Sequence, residues 1–383
     1  MQRFYFDHNA TTPVDPEVLE VAVSCLGQVY GNASSIHYFG QAAKQKLEAA
    51  RRQVAGLIGA KPAEIVFTSG GTEADNMAVL GVVRRTGGPR HVITSAIEHP
   101  AVLGPCGQVE REGVEVTRVR VGSGGIVDPD DVRQALRPET VLISVMHANN
   151  ELGTVQPIAE IARIAREAAI PLHVDGVQAL GKIPVDVDAL GTDLYSMSGH
   201  KLYAPKGVGA LYVRKGTRLD PLVFGGHQER DRRPGTENVP GAVALGAAAE
   251  LAGRELAANS GRLAALRDRF ENAVLGRISG AGINGARWSR TPNTSNLYFD
   301  GVDGEALVIA LDLRGFAVST GAACSSGALT PSHVLTAIGL DADRARASMR
   351  FSLGRGNTAA EVDALAEALE ASVAHLRRIS VHA

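Results

Sequence analysis

Val141-Leu142-Ile143-Ser144-Val145-Met146-His147-Ala148-Asn149-Asn150-Glu151 is an apolar, largely β-branched run that ends abruptly in hydrogen-bonding and ionisable side chains. A continuous apolar run of this length, bounded by polar residues, reads as a strand covered on both faces, as in a parallel sheet. Toward the C-terminus a helical stretch at 158–169 leads to a second such run at 172–175 and a third at 194–197. Toward the N-terminus, helical stretches at 130–136 and 101–112 interleave with strands at 114–121 and 91–95. This alternation predicts an α/β fold, a mostly parallel central sheet with helices on both faces. Ligands of such sheets bind beyond the carboxyl ends of the strands. Those ends are where polar residues gather: Glu98 and His99; His147, Asn149, Asn150 and Glu151; Asp175 and Gln178; Ser198, His200 and Lys201.

Composition narrows the function classes. At 383 residues the chain is too long for one small core, and its length predicts two or three domains. Its 39 basic and 41 acidic residues give a formal net charge of -2, so no electrostatic footprint for nucleic acid or an anionic membrane is visible. No apolar run approaches the roughly 20 residues of a membrane span, and Met1-Gln2-Arg3-Phe4-Tyr5-Phe6-Asp7 lacks a signal-peptide core. A cytoplasmic protein is expected. The three cysteines, Cys25, Cys106 and Cys324, form no C-x-x-C pair, and no H-E-x-x-H is present, so neither a disulfide framework nor a metal site is expected.

Several stretches have chemistry to offer beside a plain structural reading. In Ser69-Gly70-Gly71-Thr72, before a helix expected at 77–85, glycines let backbone approach a ligand and the helix terminus favours a phosphate, although Gly-Gly is also a common tight turn. The absence of G-x-x-x-x-G-K-[ST] and G-x-G-x-x-G disfavours a nucleotide as the phosphate carrier. Lys201, in Ser198-Gly199-His200-Lys201, follows a strand directly, where a desolvated amine can form a Schiff base; a hairpin surface lysine is the plainer reading. Asp175 either caps a following helix or holds a ring nitrogen protonated, with Gln178 within reach of the same ligand. The stretch 224–239 packs charges and glycines in what reads as a solvated loop. Helices are expected at 243–256, 262–274, 304–313 and 359–378, and strands at 295–299, 316–319 and 350–353. Cys324 sits in Thr320-Gly321-Ala322-Ala323-Cys324-Ser325-Ser326-Gly327, among residues too small to pack against it, the setting a reactive thiol needs. Cys25 and Cys106 have apolar surroundings and read as inert. After the loop, Thr330-Pro331 reads as an N-cap with proline at the first helical position.

Taken together, these motifs resemble the cysteine desulfurases of the class V aminotransferase group, enzymes that use pyridoxal 5'-phosphate (PLP). The resemblance runs from Asp7-His8-Asn9-Ala10-Thr11-Thr12 to Arg350-Phe351-Ser352-Leu353. Between them lie Gly31-Asn32-Ala33-Ser34-Ser35, Thr68-Ser69-Gly70-Gly71-Thr72-Glu73, Glu98-His99-Pro100, Ala148-Asn149-Asn150-Glu151, His200-Lys201, Gly235-Thr236-Glu237-Asn238 and Ala323-Cys324-Ser325-Ser326. Gly225-Gly226-His227-Gln228-Glu229-Arg230 looks most like the nitrogenase-associated branch. The resemblance implies a PLP-dependent transferase of fold type I, with a large PLP-binding domain at 14–258. A smaller α+β domain, formed by 1–13 and 259–383, would bear the cysteine loop.

The same resemblance implies roles. Lys201 would anchor the cofactor and move the substrate Cα proton; Asp175 would pair with the pyridine nitrogen, Gln178 with the phenolic oxygen, and His99 would stack on the ring. Gly71, Thr72, Ser198 and His200 would hold the phosphate, with Thr236 reaching in from the second subunit of a homodimer. Asn150, also at the cofactor, and Arg350 would bind the substrate carboxylate. Cys324 would take the sulfur of L-cysteine as a persulfide, releasing L-alanine, for a sulfur-acceptor protein such as an iron-sulfur scaffold or a sulfur carrier. Three positions depart from the family's usual pattern: Gly71, for alanine or cysteine, His8, for asparagine, and Ala322, for serine. Selenocysteine lyase or another class V PLP enzyme is the competing activity, and a catalytically silent homologue acting as a binding partner is the competing class. Retention of both Lys201 and Cys324 argues against silence.

Overall fold

The computed structural model describes residues 2–320 and 331–380. Seven strands form the central sheet: β1 (Ile65–Thr68), β2 (His91–Ser95), β3 (Glu115–Val119), β4 (Thr140–Ser144), β5 (Leu172–Asp175), β6 (Leu194–Ser198) and β7 (Gly209–Val213). Their order is β1-β7-β6-β5-β4-β2-β3. Only β7 runs against its neighbours; β6, β5, β4, β2 and β3 pair in parallel. The alternation along each strand explains why both faces are covered. Val66, Val92, Leu142, Leu194 and Leu211 join one apolar cluster, while Phe67, Ile93, Ile143, Tyr195 and Tyr212 join another on the opposite face. A side-chain period of two sends successive residues to opposite sides.

Helices α1 (Pro16–Gln28), α2 (Tyr38–Leu57), α3 (Gly71–Arg85), α4 (Pro100–Arg111), α5 (Pro129–Ala135) and α6 (Ile158–Glu167) supply those covers. Asp15 caps α1 through the Glu17 amide, with Pro16 at the first helical position. Helix α3 begins at Gly71, six residues before the expected start, because the glycine turn itself is the helix entrance.

The expected helices at 243–256 and 262–274 are one helix, α7 (Val239–Arg277). Its first half, from Val239 to Ala252, packs in the cluster under the central sheet, and Leu263, Leu266, Phe270 and Val274 pack in a separate cluster. That second cluster also receives Phe6, helices α8 (Gly304–Asp312) and α9 (Ala359–Ser380), and an antiparallel sheet. The sheet contains β8 (Ala281–Ile283), β9 (Thr294–Phe299), β10 (Ser319–Thr320) and β11 (Ser348–Ser352), ordered β10-β11-β9-β8. The single strand expected at 316–319 is divided: Phe316–Ala317 pairs with Phe4–Tyr5, and β10 pairs with β11. The N-cap expected at Thr330 is instead Ser332, whose hydroxyl accepts from the Val334 and Leu335 amides; Thr330 itself lies outside the described residues.

The charged stretch 224–239 is not wholly solvated. Glu229 turns inward and meets Arg51 of α2 through two hydrogen bonds of 2.7 and 2.8 Å, both side chains being only 3% exposed. The same carboxylate accepts the Phe67 amide of β1 at 3.0 Å, so the loop is strapped to the sheet. Glu229→Ala leaves the buried guanidinium unpaired, and a loss of about 3–5 kcal/mol in unfolding free energy is expected. Urea denaturation reads it; a loss below ~1 kcal/mol contradicts the strap.

Candidate active site

A cavity of about 390 Å³ opens at the carboxyl ends of β1, β2, β4, β5 and β6. Gly71, Thr72, His99, Asn150, Asp175, Gln178, Ser198, His200, Lys201 and Arg350 all line it. Residues dispersed over 280 positions of sequence therefore meet at one place, as a parallel sheet's geometry dictates.

At the phosphate end, the N-terminus of α3 starts without a side-chain cap at Gly70, which leaves its first amides suited to an anion. A Cβ built on Gly71 would stand 2.8 Å from Val177 Cγ2 and 3.3 Å from Ser198 Cβ. A Cβ on Gly209 would stand 2.7 Å from the Gly70 backbone. Both glycines are needed for the turn to lie this close to the end of β6. Thr72 is exposed at the rim, and His200 is fixed by a 3.1 Å contact between Nδ1 and Thr11 Oγ1. Burial first, then Lys201 and Lys206, push the His200 ring down to about 4.

On the floor, Asp175 ends β5 and accepts the Val177 amide at 3.0 Å. It caps a turn rather than a helix, since no helix follows until Val187. Burial above all, and then Asp75, raise its carboxyl to about 7. Asp75 of α3, which sequence reasoning passed over, is likewise buried and raised to about 7, and its Oδ1 has no hydrogen-bond partner. A buried carboxyl held this high is stabilised by a cation brought against it. His99 caps α4: the Ala101 amide donates to its Nδ1 at 3.1 Å, which leaves the ring proton on Nε2. Burial, with Lys201, His333 and Arg350, lowers His99 to about 4, so the ring is neutral and presents a flat face.

Lys201 closes a one-turn 3₁₀ helix, Gly199–Lys201, straight after β6. Its Nζ donates to the carbonyl oxygens of Asn9 at 2.5 Å and Ala10 at 2.6 Å. The surface-hairpin reading of this lysine does not describe it. Arg350, on β11, is buried; its Nη2 pairs with Asp7 Oδ1 at 2.7 Å and its Nη1 donates to the Asn150 carbonyl at 3.1 Å. Its Nε is buried without a hydrogen-bond partner, a donor available to a carboxylate. Glu151 also lines the cavity and accepts Ser332 Oγ at 2.6 Å.

Of the expected residues that the structure describes, one is not in this cavity. Thr236 is exposed on the loop after Glu229, lining a separate depression with Ser69 and Gly207. Cys324 lies outside the described residues. Cys25 and Cys106 are buried, and burial raises both thiols, Cys106 to about 12.

His147, at the end of β4, lies beneath the cavity instead of lining it, with Nδ1 3.0 Å from the Tyr195 hydroxyl. Burial lowers it from 6.5 to about 4. Between those values the unfolded chain binds a proton at His147 that the folded chain does not. Its contribution to stability is therefore complete above pH 6.5 and is lost as pH falls toward 4. The stability gap between wild type and His147→Gln is expected to narrow by ~3 kcal/mol across that window. A gap that stays constant with pH contradicts the assignment.

Residues 4–365 match the family described as aminotransferase class-V. A protein of Dictyoglomus turgidum named cysteine desulfurase IscS is 50% identical over 378 residues, which is 98% of this chain and 96% of that protein. Among solved structures, one titled NifS-like protein superposes with a TM-score of 0.92 at 38% identity, covering 98% of this chain and all of the other. Another, titled SspA in complex with cysteine, has a TM-score of 0.81 at 38% identity, covering 91% and 98%.

Proposed function

This chain belongs to the aminotransferase class-V family and is a cysteine desulfurase; we propose that its cavity binds pyridoxal 5'-phosphate and converts L-cysteine to L-alanine, with the sulfur retained on Cys324 as a persulfide. The observation that carries this reading is the meeting, in one cavity, of Lys201 with Asp175, a buried carboxyl that a cation would stabilise. The donor set fits the cofactor. An uncapped helix entrance beside Ser198 and His200 suits its phosphate, Asp175 its ring nitrogen, Gln178 its ring oxygen, and the neutral His99 face its ring. When bound, the cofactor supplies an electron sink that allows a Cα proton to leave.

The protein's residues supply the rest. Lys201, whose amine lines the cavity, would anchor the cofactor and would accept and return the substrate Cα proton. Asp175, charged once a ring cation is opposite it, would hold that nitrogen protonated. Arg350, kept in place by Asp7 and the Asn150 carbonyl, binds the substrate carboxylate with Asn150. Cys324, as thiolate, would attack the substrate sulfur: a sulfur–sulfur bond forms as the Cβ–S bond breaks, the electron pair of that bond stays on the Cβ side and takes up a proton on the way to alanine, and the sulfur remains on Cys324 as the persulfide.

We infer further that the enzyme acts as a homodimer. Two observations support this: Thr236 is exposed and away from its own cavity, and Tyr30, Tyr38 and Phe39 form an exposed aromatic cluster with centroids 5.2 and 5.5 Å apart. A second copy covering such a patch is the expected occupant. A division into a large domain at 14–258 and a small one at 1–13 and 259–383 is supported by the two apolar clusters. No helix among the described residues is long and apolar enough to cross a membrane. We propose a cytoplasmic enzyme whose sulfur passes to an acceptor protein, either an iron-sulfur scaffold or a sulfur carrier. The test is to incubate the PLP-loaded protein with L-cysteine and a reductant: alanine and sulfide in equal amounts are expected, and alanine without sulfide contradicts the reading.

A further inference from the structure

Lys182 follows the turn after β5, and nothing in the local sequence marks it as part of a site. Its Nζ is nevertheless enclosed, 3.1 Å from Asn9 Oδ1 and hydrogen-bonded to Gln178 Oε1. The other end of the Gln178 amide donates from Nε2 to the Asn9 carbonyl at 3.0 Å. A backbone carbonyl can only accept, so the end of Gln178 facing it must be the NH₂, and the oxygen must face Lys182. The amide is thereby oriented from both ends.

Asn9 ties this pair to the rest of the site. Its carbonyl also accepts Lys201 Nζ, and its side-chain amide donates to the Asn150 carbonyl at 3.1 Å and to Thr294 Oγ1 at 2.9 Å. Asn293 donates to the same Asn9 Oδ1 that Lys182 reaches. Burial, Lys201 and Arg350 all oppose a charge on Lys182, and His8 faces it from the N-terminal arm. A buried amine among cations is costly to keep unless its hydrogen bonds matter.

We propose that Lys182 is a positioning residue for the cofactor: by holding the carbonyl end of Gln178, it keeps that amide's second N–H available to the cofactor's ring oxygen. This rests on the reading of the cavity as a PLP site. Without Lys182 the amide is oriented from one end only, by the Asn9 carbonyl, and the fraction that rotates presents its oxygen to an oxygen anion, which repels it.

The test compares wild type with Lys182→Met, Lys182→Arg, Gln178→Ala and the Lys182→Met/Gln178→Ala double variant, each purified with PLP. The visible absorption of the bound cofactor is titrated with pH beside kcat and KM. Lys182→Met is expected to retain the cofactor, to move the titration midpoint upward by about half a unit or more, and to lose about tenfold in kcat/KM. The upward sign follows because a donor that favours the oxygen anion is withdrawn. Lys182→Arg, which keeps donors, restores most of both. The double variant should be no worse than Gln178→Ala, since Lys182 acts through Gln178. Should Lys182→Met not fold, Lys182→Leu, which likewise has no donor, is titrated in its place with the same expectation. A midpoint equal to wild type, or single losses that multiply in the double variant, overturns the proposal alone. A wild-type protein that binds no PLP overturns the reading of the cavity and this proposal with it.

Discussion

Lys201→Ala is expected to abolish the yellow colour of the PLP-loaded protein and to lower sulfide production by at least ~10³-fold. Two properties of the site make the loss this large. Lys201 is held by two backbone carbonyls and by a 3₁₀ turn closed through the Leu202 amide, so its amine is aimed into the cavity rather than at solvent. No other lysine lines the cavity among the described residues, and the nearest candidate, Lys182, is engaged by Asn9 and Gln178. Among the described residues no second lysine is placed in the cavity to take over either the anchoring or the proton transfer. Absorption spectroscopy and a sulfide assay read both effects, and a variant that keeps its colour would show that the anchor lies elsewhere.

Cys324→Ala separates the two halves of the reaction. The cavity residues are untouched, so PLP binding and the yellow colour should remain, while sulfide release from L-cysteine should fall by roughly 10³-fold or more. The other two cysteines cannot substitute. Cys25 packs inside α1 and Cys106 inside α4, and burial raises both thiols, which disfavours the thiolate a nucleophile needs. Full sulfide production by this variant would exclude Cys324 as the acceptor.

The central sheet was readable because its strands are short apolar runs whose period of two matches two covered faces, and because each ends in a polar cluster. Asp175, Gln178, Ser198 and Lys201 were found from that regularity. What escaped were features fixed by partners far along the chain. Helix α7 reads as two because Ala257-Ala258-Asn259-Ser260-Gly261 resembles a break; in the fold Ser260 Oγ donates to the Lys182 carbonyl at 2.6 Å and the helix continues between two apolar clusters. Glu229 belongs to a run of charges that no local pattern distinguishes, and partners far along the chain, Arg51, 178 residues away, and the Phe67 amide, take it out of solvent. Asn9 and Lys182 are likewise joined across 173 residues. Two departures from the family pattern have physical counterparts: Gly71 leaves room that Val177 fills, and the His8 ring lies where a Cβ on Gly354 would stand 2.2 Å from it.

The most direct test of the account is the mass of the protein after L-cysteine is supplied without reductant, followed by peptide mapping. The account predicts one added sulfur atom, located on the peptide containing Cys324, with one alanine formed per sulfur retained. Alanine formed with no sulfur on Cys324, or with the sulfur on Cys25 or Cys106, would contradict it.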